Sequence, residues 1–202
     1  MTSLNGIEAR GDTLAFTRQR AQGAARGSQT RDRAMADNLD FLLAERYRGK
    51  KLMVWAHNFH VQHRERLTAA DDGDVGAPPT TMGMWTARRH RSELYTIGLF
   101  MYRGYAAVNG GQVYPIALMS AGSLESIMHR APWRYSYIDL SRSTDSPGTS
   151  WIFRKIPTMS WGTQNDPLVP RDEYDGILYH RHLSSADIPQ QRAVAVISRP
   201  LP

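Results

Sequence analysis

Cysteine is absent from this chain of 202 residues. Its absence excludes a disulfide framework, a thiolate nucleophile and every zinc or iron–sulfur site built on sulfur ligands. A metal site would therefore need His, Asp or Glu side chains. The remaining composition, with 41% hydrophobic and 22% charged residues, is that of an ordinary globular protein. We therefore expect one folded domain rather than a disordered or fibrous chain.

Long hydrophobic runs are also missing. The two longest uninterrupted apolar runs, Leu52–Ala56 and Ala193–Ile197, have five residues each, and crossing a bilayer takes roughly 20. The residues up to Thr30 include several arginines but no apolar region of the kind found in a secretory signal. We therefore expect a cytoplasmic protein without a membrane partner.

Several catalytic signatures are absent as well. The sequence has no glycine-rich phosphate loop, no dinucleotide fingerprint and no HExxH helix. The stretch Leu118–Gly122 (LMSAG) lacks the first glycine of a G-x-S-x-G nucleophile elbow. Nucleophilic serine chemistry is therefore not favoured.

The excess of positive charge is modest and scattered. The chain has 25 Lys and Arg against 19 Asp and Glu, a net charge of +6, which permits attraction to anions. The tight basic clusters lie at 46–51 and 88–91, and short runs of this kind usually lie on solvated helix faces. Because no nucleic-acid-binding motif accompanies them, the pattern argues against nucleic acid as a partner.

A helix followed by an apolar strand indicates the fold class. Apolar side chains between Ala34 and Leu43 recur at steps of three and four, and Gly49 follows in the position of a left-handed stop, which predicts a helix over 31–47. Leu52–Ala56 is apolar without alternation, as in a strand covered on both faces. Together these features predict an α/β fold with a mostly parallel sheet and flanking helices.

The remaining elements follow along the chain. We expect residues 1–29 to be a flexible basic lead segment and residues 30–202 to form the α/β domain. Helices are predicted over Met82–Arg91 and Leu124–Arg130, the second capped by Ser123. Further strands are predicted at Tyr95–Met101, Val113–Leu118, Tyr135–Leu140, Asp175–Tyr179 and Ala193–Ile197. Loops are predicted at Asp71–Pro79, Asn109–Gly111, Ser141–Ser150 and Pro157–Pro170.

The segment Trp55–Val61 (WAHNFHV) places two imidazoles and an amide at the carboxyl end of the predicted strand. Ligands of open α/β sheets bind at that edge, so we expect these side chains to face a cleft. His57 or His60 could take a proton from water and return one to a leaving alkoxide. Asn58 could hold an imidazole tautomer or donate to an oxyanion.

Two other interpretations of this segment stay open. His57 could bond the end of the strand while His60 and His63 are merely exposed. His57 and His60 could also ligate a divalent metal, but no carboxylate stands at a specific spacing and such a site needs three or more ligands. We therefore expect no cofactor.

Several segments, including this one, resemble segments of the erythromycin esterase-like family and follow one another in the same order along the chain. The runs Arg31–Asn38 (RDRAMADN) and Trp55–Val61 resemble its paired motifs, and Ala-His-Asn-x-His-Val is the most specific piece. Similar segments follow at Met82-Gly83, Tyr95–Gly98, Gly122–Glu125 and Tyr174–Tyr179. The resemblance covers roughly residues 30 to 185.

The resemblance implies an α/β hydrolase that cleaves an ester with a His general base, in named members the macrolactone of erythromycin-type antibiotics. The implied partner is thus a small-molecule ester. The expected site residues are His57, His60 and Arg33 as catalytic groups and Asn58, Met82 and Gly83 as substrate-binding groups. Arg33 would offer a fixed cation to a substrate oxygen or a carboxylate. The alternative for Arg33 is a surface ion pair with Asp37, four residues on.

The chain departs from the family in one respect. Family members are considerably longer and carry an earlier Gly-Glu-x-x-His-Gly segment with the principal catalytic His, and the residues before Thr30 contain no such motif. The resemblance therefore implies the C-terminal portion of the fold, incomplete relative to the whole. We expect self-association or a missing N-terminal segment to cover its open edge. The alternative to a hydrolase is a truncated, non-catalytic member that acts as a ligand-binding or accessory module.

Overall fold

The computed structural model describes residues 27, 29–63, 81–107 and 112–184. Helix α1 covers residues 29–41 and continues into a π-helical turn at Leu42–Arg46. The other α-helices are α2 (Asn58–Val61), α3 (Met82–His90), α4 (Leu124–His129) and α5 (Pro170–Glu173), and 3-10 turns lie at Arg91–Glu93 and Ser150–Phe153. The strands are β1 (Ile97–Ala107), β2 (Val113–Pro115), β3 (Tyr135–Asp139), β4 (Met159–Ser160), β5 (Gln164–Asn165) and β6 (Gly176–Leu183).

Four of these strands form one mixed sheet in the order β2-β1-β6-β3. β1 and β6 run parallel, with Leu99 beside Leu178, whereas β2 pairs with β1 and β3 pairs with β6 in the antiparallel sense. The mixed α/β character is confirmed, but the expected mostly parallel sheet is wrong. β2 follows β1 too closely to run parallel to it, since a parallel neighbour needs a long crossover. The apolar pattern of a strand does not reveal its direction.

The expected buried strand at Leu52–Ala56 is also wrong. These residues form no strand with any described part of the chain, and 91% of Met53 and 81% of Trp55 are exposed. At Leu99 of β1, the side chain of Asn58 takes the hydrogen-bonding place that a neighbouring strand would fill. An apolar run becomes a strand only where a partner backbone is available.

The predicted helices are confirmed apart from small shifts of their ends. The chain turns after α1 at Gly49, whose φ of +70° is the left-handed conformation predicted for the stop. α3 and α4 match Met82–Arg91 and Leu124–Arg130 except for the last residue. Thr81 caps α3 and Ser123 caps α4, and each accepts a hydrogen bond from a backbone N–H of the first turn. None of the described helices is long and apolar enough to span a bilayer.

The other predicted segments are found with shifted ends or lie outside the described residues. Tyr95–Met101 corresponds to β1, Val113–Leu118 to the shorter β2, Tyr135–Leu140 to β3 and Asp175–Tyr179 to β6. The loop predicted at Pro157–Pro170 contains the β4–β5 hairpin. Outside the described residues lie Ala193–Ile197, Asp71–Pro79, Asn109–Gly111 and all of the predicted lead segment 1–29 except Gly27 and Gln29.

The hydrophobic core lies on one face of the sheet. Its buried side chains include Phe100, Leu124, Leu140, Ile152, Ile177 and Tyr179. On the opposite face Ile97, Tyr137 and Leu178 stay partly open, with 42%, 51% and 42% exposed. Such a face is suited to association. That self-association or a further segment covers it stays a prediction.

Candidate functional site

His57 stands immediately before the short helix α2 and caps it. Its Nδ1 accepts a hydrogen bond from the backbone N–H of Phe59 at 3.2 Å. A ring nitrogen that accepts carries no proton, so neutral His57 has its proton on Nε2. Through Nε2, His57 therefore offers a hydrogen-bond donor and not a base.

A cavity of about 360 Å³ lies beside His57. Its wall includes Trp55, Phe59, Phe100, Tyr114, Met159, Trp161 and Asp166. The rings of His57 and Trp161 are stacked, with centroids 4.2 Å apart and planes inclined by 19°. Among the described residues that line the cavity there is no Lys or Arg, and Asp166 is the one carboxylate. The cavity therefore suits a mostly apolar ligand that carries no negative charge.

The protonation of His57 depends on its surroundings. Burial lowers the pKa of His57, and the charge of His60 lowers this pKa further. Burial acts in this direction because the charged imidazolium loses more hydration than the neutral ring. At neutral pH His57 is therefore uncharged, which is the form in which Nδ1 accepts and Nε2 donates.

The free energy of unfolding should decrease as the pH falls from about 7.5 to about 5. Burial, followed by the charges of neighbouring basic groups, lowers the pKa of His57, His129 and His180 in the folded chain. The histidines of the unfolded chain titrate near 6.5, so unfolding takes up protons in this range and becomes more favourable on acidification. Burial raises the pKa of Glu125, which acts in the opposite direction but is a single group. The melting temperature across this range measures the effect, and a constant or rising value on acidification contradicts it.

His60 is paired with a buried carboxylate from helix α1. The Oδ1 atom of Asp32 accepts a hydrogen bond from His60 Nδ1 at 2.8 Å and another from the backbone N–H of Met82 at 2.9 Å. Asp32 is fully buried, and 16% of the His60 side chain is exposed. Because Nδ1 donates to the carboxylate, neutral His60 has its lone pair on Nε2, as a general base requires. His57 and His60 therefore have opposite tautomers.

Asp32 is the residue of this site that sequence reasoning missed. It lies in the RDRAMADN motif, where the sequence interpretation assigns a role to its neighbour Arg33 alone. A signal was present, because Asp32 lies one helical turn before the apolar Ala36 and therefore shares a face of α1 with it. Both residues are completely buried in the structure. A carboxylate placed on the apolar face of a helix needs a buried partner, which His60 provides.

Arg33 is not brought to the cavity. Its Nε lies 3.1 Å from both carboxylate oxygens of Asp37, and its guanidinium carbon lies 4.3 Å from the centre of the Trp85 ring. The surface ion pair that the sequence offers as the alternative for Arg33 is therefore present. A catalytic role for Arg33 stays a prediction that this geometry does not support.

Met82 and Gly83 are buried at the start of α3 and line a second cavity of about 430 Å³, which shares Trp55 with the first. A Cβ atom on Gly83 would lie only 2.2 Å from the carbonyl oxygen of Val61. Gly83 thus allows α3 to pack directly against the backbone at the end of α2. The contacts of Met82 and Gly83 are packing contacts, and their predicted role in substrate binding stays a prediction.

Asn58 joins the segment that carries the histidines to β1. Its Nδ2 donates to the carbonyl oxygen of Leu99 at 2.8 Å, and its Oδ1 accepts from the Leu99 N–H at 2.9 Å. The side-chain amide thus makes both hydrogen bonds that a neighbouring strand would make. It fixes α2, with His57 and His60 at its ends, relative to the sheet. The predicted contact of Asn58 with an oxyanion stays a prediction.

Replacing Asn58 with Ala should lower the free energy of unfolding by about 2–4 kcal/mol. The change removes the partners of the Leu99 N–H and C=O, and each orphaned group costs about 1–3 kcal/mol. Asn58→Asp should also destabilise the protein, since a carboxylate cannot donate to the Leu99 carbonyl. Urea unfolding measures both variants. Asn165→Ala, at an exposed position of β5, is the matched control, and an Asn58→Ala variant as stable as this control would refute the prediction.

His63 is buried, contrary to the alternative in which it is merely exposed. Only 1% of it is accessible, and its Nε2 lies 2.6 Å from the Thr96 hydroxyl. Asp175, beside Thr96, accepts hydrogen bonds from the Thr96 N–H at 2.9 Å and from Arg91 at 2.7 Å. This network connects the chain after α2 to the beginnings of β1 and β6. His63 is therefore part of the support of the site.

A metal centre finds no support in the part of the chain that the structure describes. No cluster of three or more His, Asp or Glu side chains there is arranged to hold an ion. The Nδ1 atoms of His57 and His60 are already bonded to the Phe59 N–H and to Asp32. Metal ligation by this pair, which the sequence leaves open as an alternative, has no third ligand among the described residues, and the expectation of no cofactor stays a prediction.

The segments that build this site fall within a region that matches a known family. A family model described as erythromycin esterase matches residues 8–183, a range that includes Asp32, His57 and His60. The chain belongs to the erythromycin esterase family. The resemblance carried by RDRAMADN and WAHNFHV is therefore confirmed.

The proteins that this chain resembles are considerably longer than the chain itself. A Bacillus subtilis (strain 168) protein named "Putative hydrolase YbfO" is 27% identical over 161 residues, which are 78% of this chain and 36% of that protein. A Bacillus cereus protein of known crystal structure superimposes with a TM-score of 0.62 at 18% identity, over 79% of this chain and 40% of that one. A succinoglycan biosynthesis protein superimposes with a TM-score of 0.61 at 21% identity, over 76% of this chain and 38% of that one. The two structures share the fold, and the chain spans less than half the length of each of these three proteins.

Proposed function

We propose that this member of the erythromycin esterase family acts in the hydrolysis of esters by water, with His60 as the general base that later returns the proton and His57 as a hydrogen-bond donor to the oxyanion. The observation that carries the proposal is the pair of opposite tautomers. In the neutral rings, Asp32 holds the proton of His60 on Nδ1 and leaves the lone pair on Nε2, and the Phe59 N–H leaves the proton of His57 on Nε2. A general base and a hydrogen-bond donor to a developing oxyanion are the two groups that hydrolysis by activated water requires. The name of the Bacillus subtilis relative supports the same reaction class.

In the proposed reaction, His60 Nε2 takes a proton from water while the water oxygen attacks the acyl carbon. The charge of Asp32 stabilises the imidazolium that forms. His57 Nε2–H donates to the carbonyl oxygen as it becomes an oxyanion. The bond to the alcohol oxygen then breaks, and His60 returns its proton to the leaving alkoxide. The products are a carboxylic acid and an alcohol.

The substrate is proposed to be an ester without negative charge, bound in the cavity beside His57. The wall there is rich in aromatic side chains and carries no Lys or Arg among the described residues. An anionic ester would lose its hydration without gaining a cationic partner. Macrolactones of the erythromycin type, which the family resemblance implies, satisfy this requirement.

The test is hydrolysis of erythromycin and of simple uncharged esters by the purified chain, followed as the gain of one water by mass spectrometry. The wild type should convert substrate, and His60→Gln should lower kcat by about 10²-fold or more. His182→Gln, at an exposed histidine of β6, is the control and should keep the wild-type rate. No conversion by the wild type, or equal conversion by the wild type and His60→Gln, would reject the proposal.

Ligand binding without catalysis is the second candidate function. It is favoured by one observation, that His60 is not among the residues lining the cavity beside His57. In this case calorimetry should detect erythromycin binding while mass spectrometry detects no product. The binding should be unaffected by His60→Gln.

A further inference from the structure

At the tip of the β4–β5 hairpin, a tryptophan has the left-handed backbone conformation that bulky residues rarely adopt. Trp161 has a φ of +56° and Gly162 a φ of +71°, and the Thr163 N–H donates to the Ser160 carbonyl at 3.2 Å across the turn. Positive φ at both central positions is typical of the hairpin turn that favours Asn or Gly. A residue with a bulky side chain is strained there. Backbone strain of this kind is concentrated at functional sites.

The surrounding structure holds the tip in this conformation. The Tyr114 hydroxyl donates to the Trp161 carbonyl at 2.7 Å, and the Ala117 N–H donates to the Gly162 carbonyl at 2.8 Å. A Cβ on Gly162 would lie 3.3 Å from the Ile116 side chain, so the tip lies directly against the residues after β2. These contacts involve the backbone of the tip and do not require an indole at position 161.

Core packing does not account for the indole either. Trp161 is 55% exposed, and its ring lies against His57 on the wall of the cavity. Trp55, two residues before His57, lines the same cavity and is 81% exposed. Two large open aromatic faces therefore flank the approach to the imidazole that the proposed reaction uses. Open aromatic faces in a cavity are contact surfaces for ligand rings.

We propose that Trp161 is a specificity-determining residue that stacks on a small ring, saturated or aromatic, of an uncharged ester. This inference rests on the proposed function and names the part of the substrate that the hairpin tip recognises. The open part of the indole face takes the ring, and the stacked His57 then lies beside the ester group. The absence of Lys and Arg among the described lining residues keeps negatively charged esters out.

The test compares cyclohexyl acetate with n-hexyl acetate, two esters whose alcohols have the same number of carbon atoms. The wild type should prefer the cyclic ester in kcat/KM by about three- to tenfold, the range expected of one aromatic stacking contact. Trp161→Gly should abolish the preference, and Trp161→Phe should keep most of it. Trp133→Ala, which removes an exposed indole outside the cavity, is the matched control and should behave as the wild type. An unchanged preference in Trp161→Gly overturns the inference.

The melting temperature of Trp161→Gly shows whether this variant is folded when its kinetics are measured. Glycine adopts positive φ without strain, but the variant loses the stacking on His57 and gains entropy in the unfolded chain, so these opposing effects should leave its melting temperature close to that of the wild type. A variant that is unfolded at the assay temperature would show that the hairpin needs the indole to fold, and it would overturn the inference.

A binding experiment separates this inference from the proposed function. Cyclohexylacetone and 2-nonanone are the unreactive ketone analogues of the two esters, and their dissociation constants can be measured by calorimetry. If no ester is hydrolysed but the cyclic ketone binds preferentially and only when Trp161 is present, the proposed function fails and the recognition of the ring stands. If hydrolysis depends on His60 but neither ketone preference nor ester preference depends on Trp161, the inference alone fails. Absence of binding by both ketones also overturns it.

Discussion

Replacing Asp32 with Asn should lower kcat for ester hydrolysis by about 10²- to 10³-fold while KM changes little. Asp32 is completely buried and contacts His60 Nδ1 at 2.8 Å, so in the proposed reaction its charge would stabilise the imidazolium that forms when His60 takes a proton. The amide of Asn is neutral and cannot do so. The neutral oxygen of Asn can still accept from the Met82 N–H, so the variant should fold. Steady-state kinetics on one uncharged ester measures the effect.

The control for this change is Asp37→Asn, the same substitution on the same helix. Asp37 is half-exposed and forms ion pairs with Arg33 and Arg89 at the surface. Its replacement should leave both kcat and KM at wild-type values. Asp32→Glu should restore part of the lost kcat, because it returns the charge at a slightly different distance. Equal kinetics for the Asp32 and Asp37 variants would show that Asp32 has only a structural role.

Replacing Gly83 with Ala should destabilise the fold by about 3 kcal/mol, which corresponds to a drop in melting temperature of about 6–12 °C for a chain of this size. The new Cβ would lie 2.2 Å from the Val61 oxygen and 2.6 Å from the Gln62 oxygen. Both atoms belong to the backbone, so α2 and α3 must move apart. Because His57 and His60 lie in and next to α2, the same movement should displace both imidazoles.

Differential scanning calorimetry measures the Gly83 effect. Gly148→Ala is the matched control, because a Cβ at that position meets no atom within 4 Å and its φ is not in the left-handed region. It should melt at the wild-type temperature. If Gly83→Ala also melts there, the close packing of α3 on Val61 is not required.

Elements that depend on local chemistry could be predicted from the sequence. Ser123 caps α4 because its hydroxyl accepts from a nearby backbone N–H, and Gly49 ends the first helical segment because it adopts positive φ freely. The motif around His57 and His60 identified the family for a similar reason, since its residues are close together in the chain. Each of these features involves neighbours within about one helical turn.

Elements that depend on distant partners could not be predicted. The run Leu52–Ala56 has the composition of a buried strand, yet it has no partner backbone among the described strands because Asn58 occupies the edge of β1 at Leu99. The direction of β2 and β3 depends on their connections and not on their side chains. The ion pair of Arg33 with Asp37 is local and the sequence offers it as an alternative, whereas the contact of Arg33 with the ring of the distant Trp85 could not be predicted.

The sequence by itself determined the family, the helices and the two imidazoles, because these follow from local spacing and from side-chain chemistry. Only the tertiary structure decided how the imidazoles differ. Asp32 reaches His60 across 28 positions of the chain, and Trp161 reaches His57 from a hairpin more than a hundred residues away. The proton on His60 is set by such a long-range contact, whereas the proton on His57 is set by the Phe59 N–H two residues on. No pattern within the segment that carries the histidines reveals Asp32 as the partner of His60.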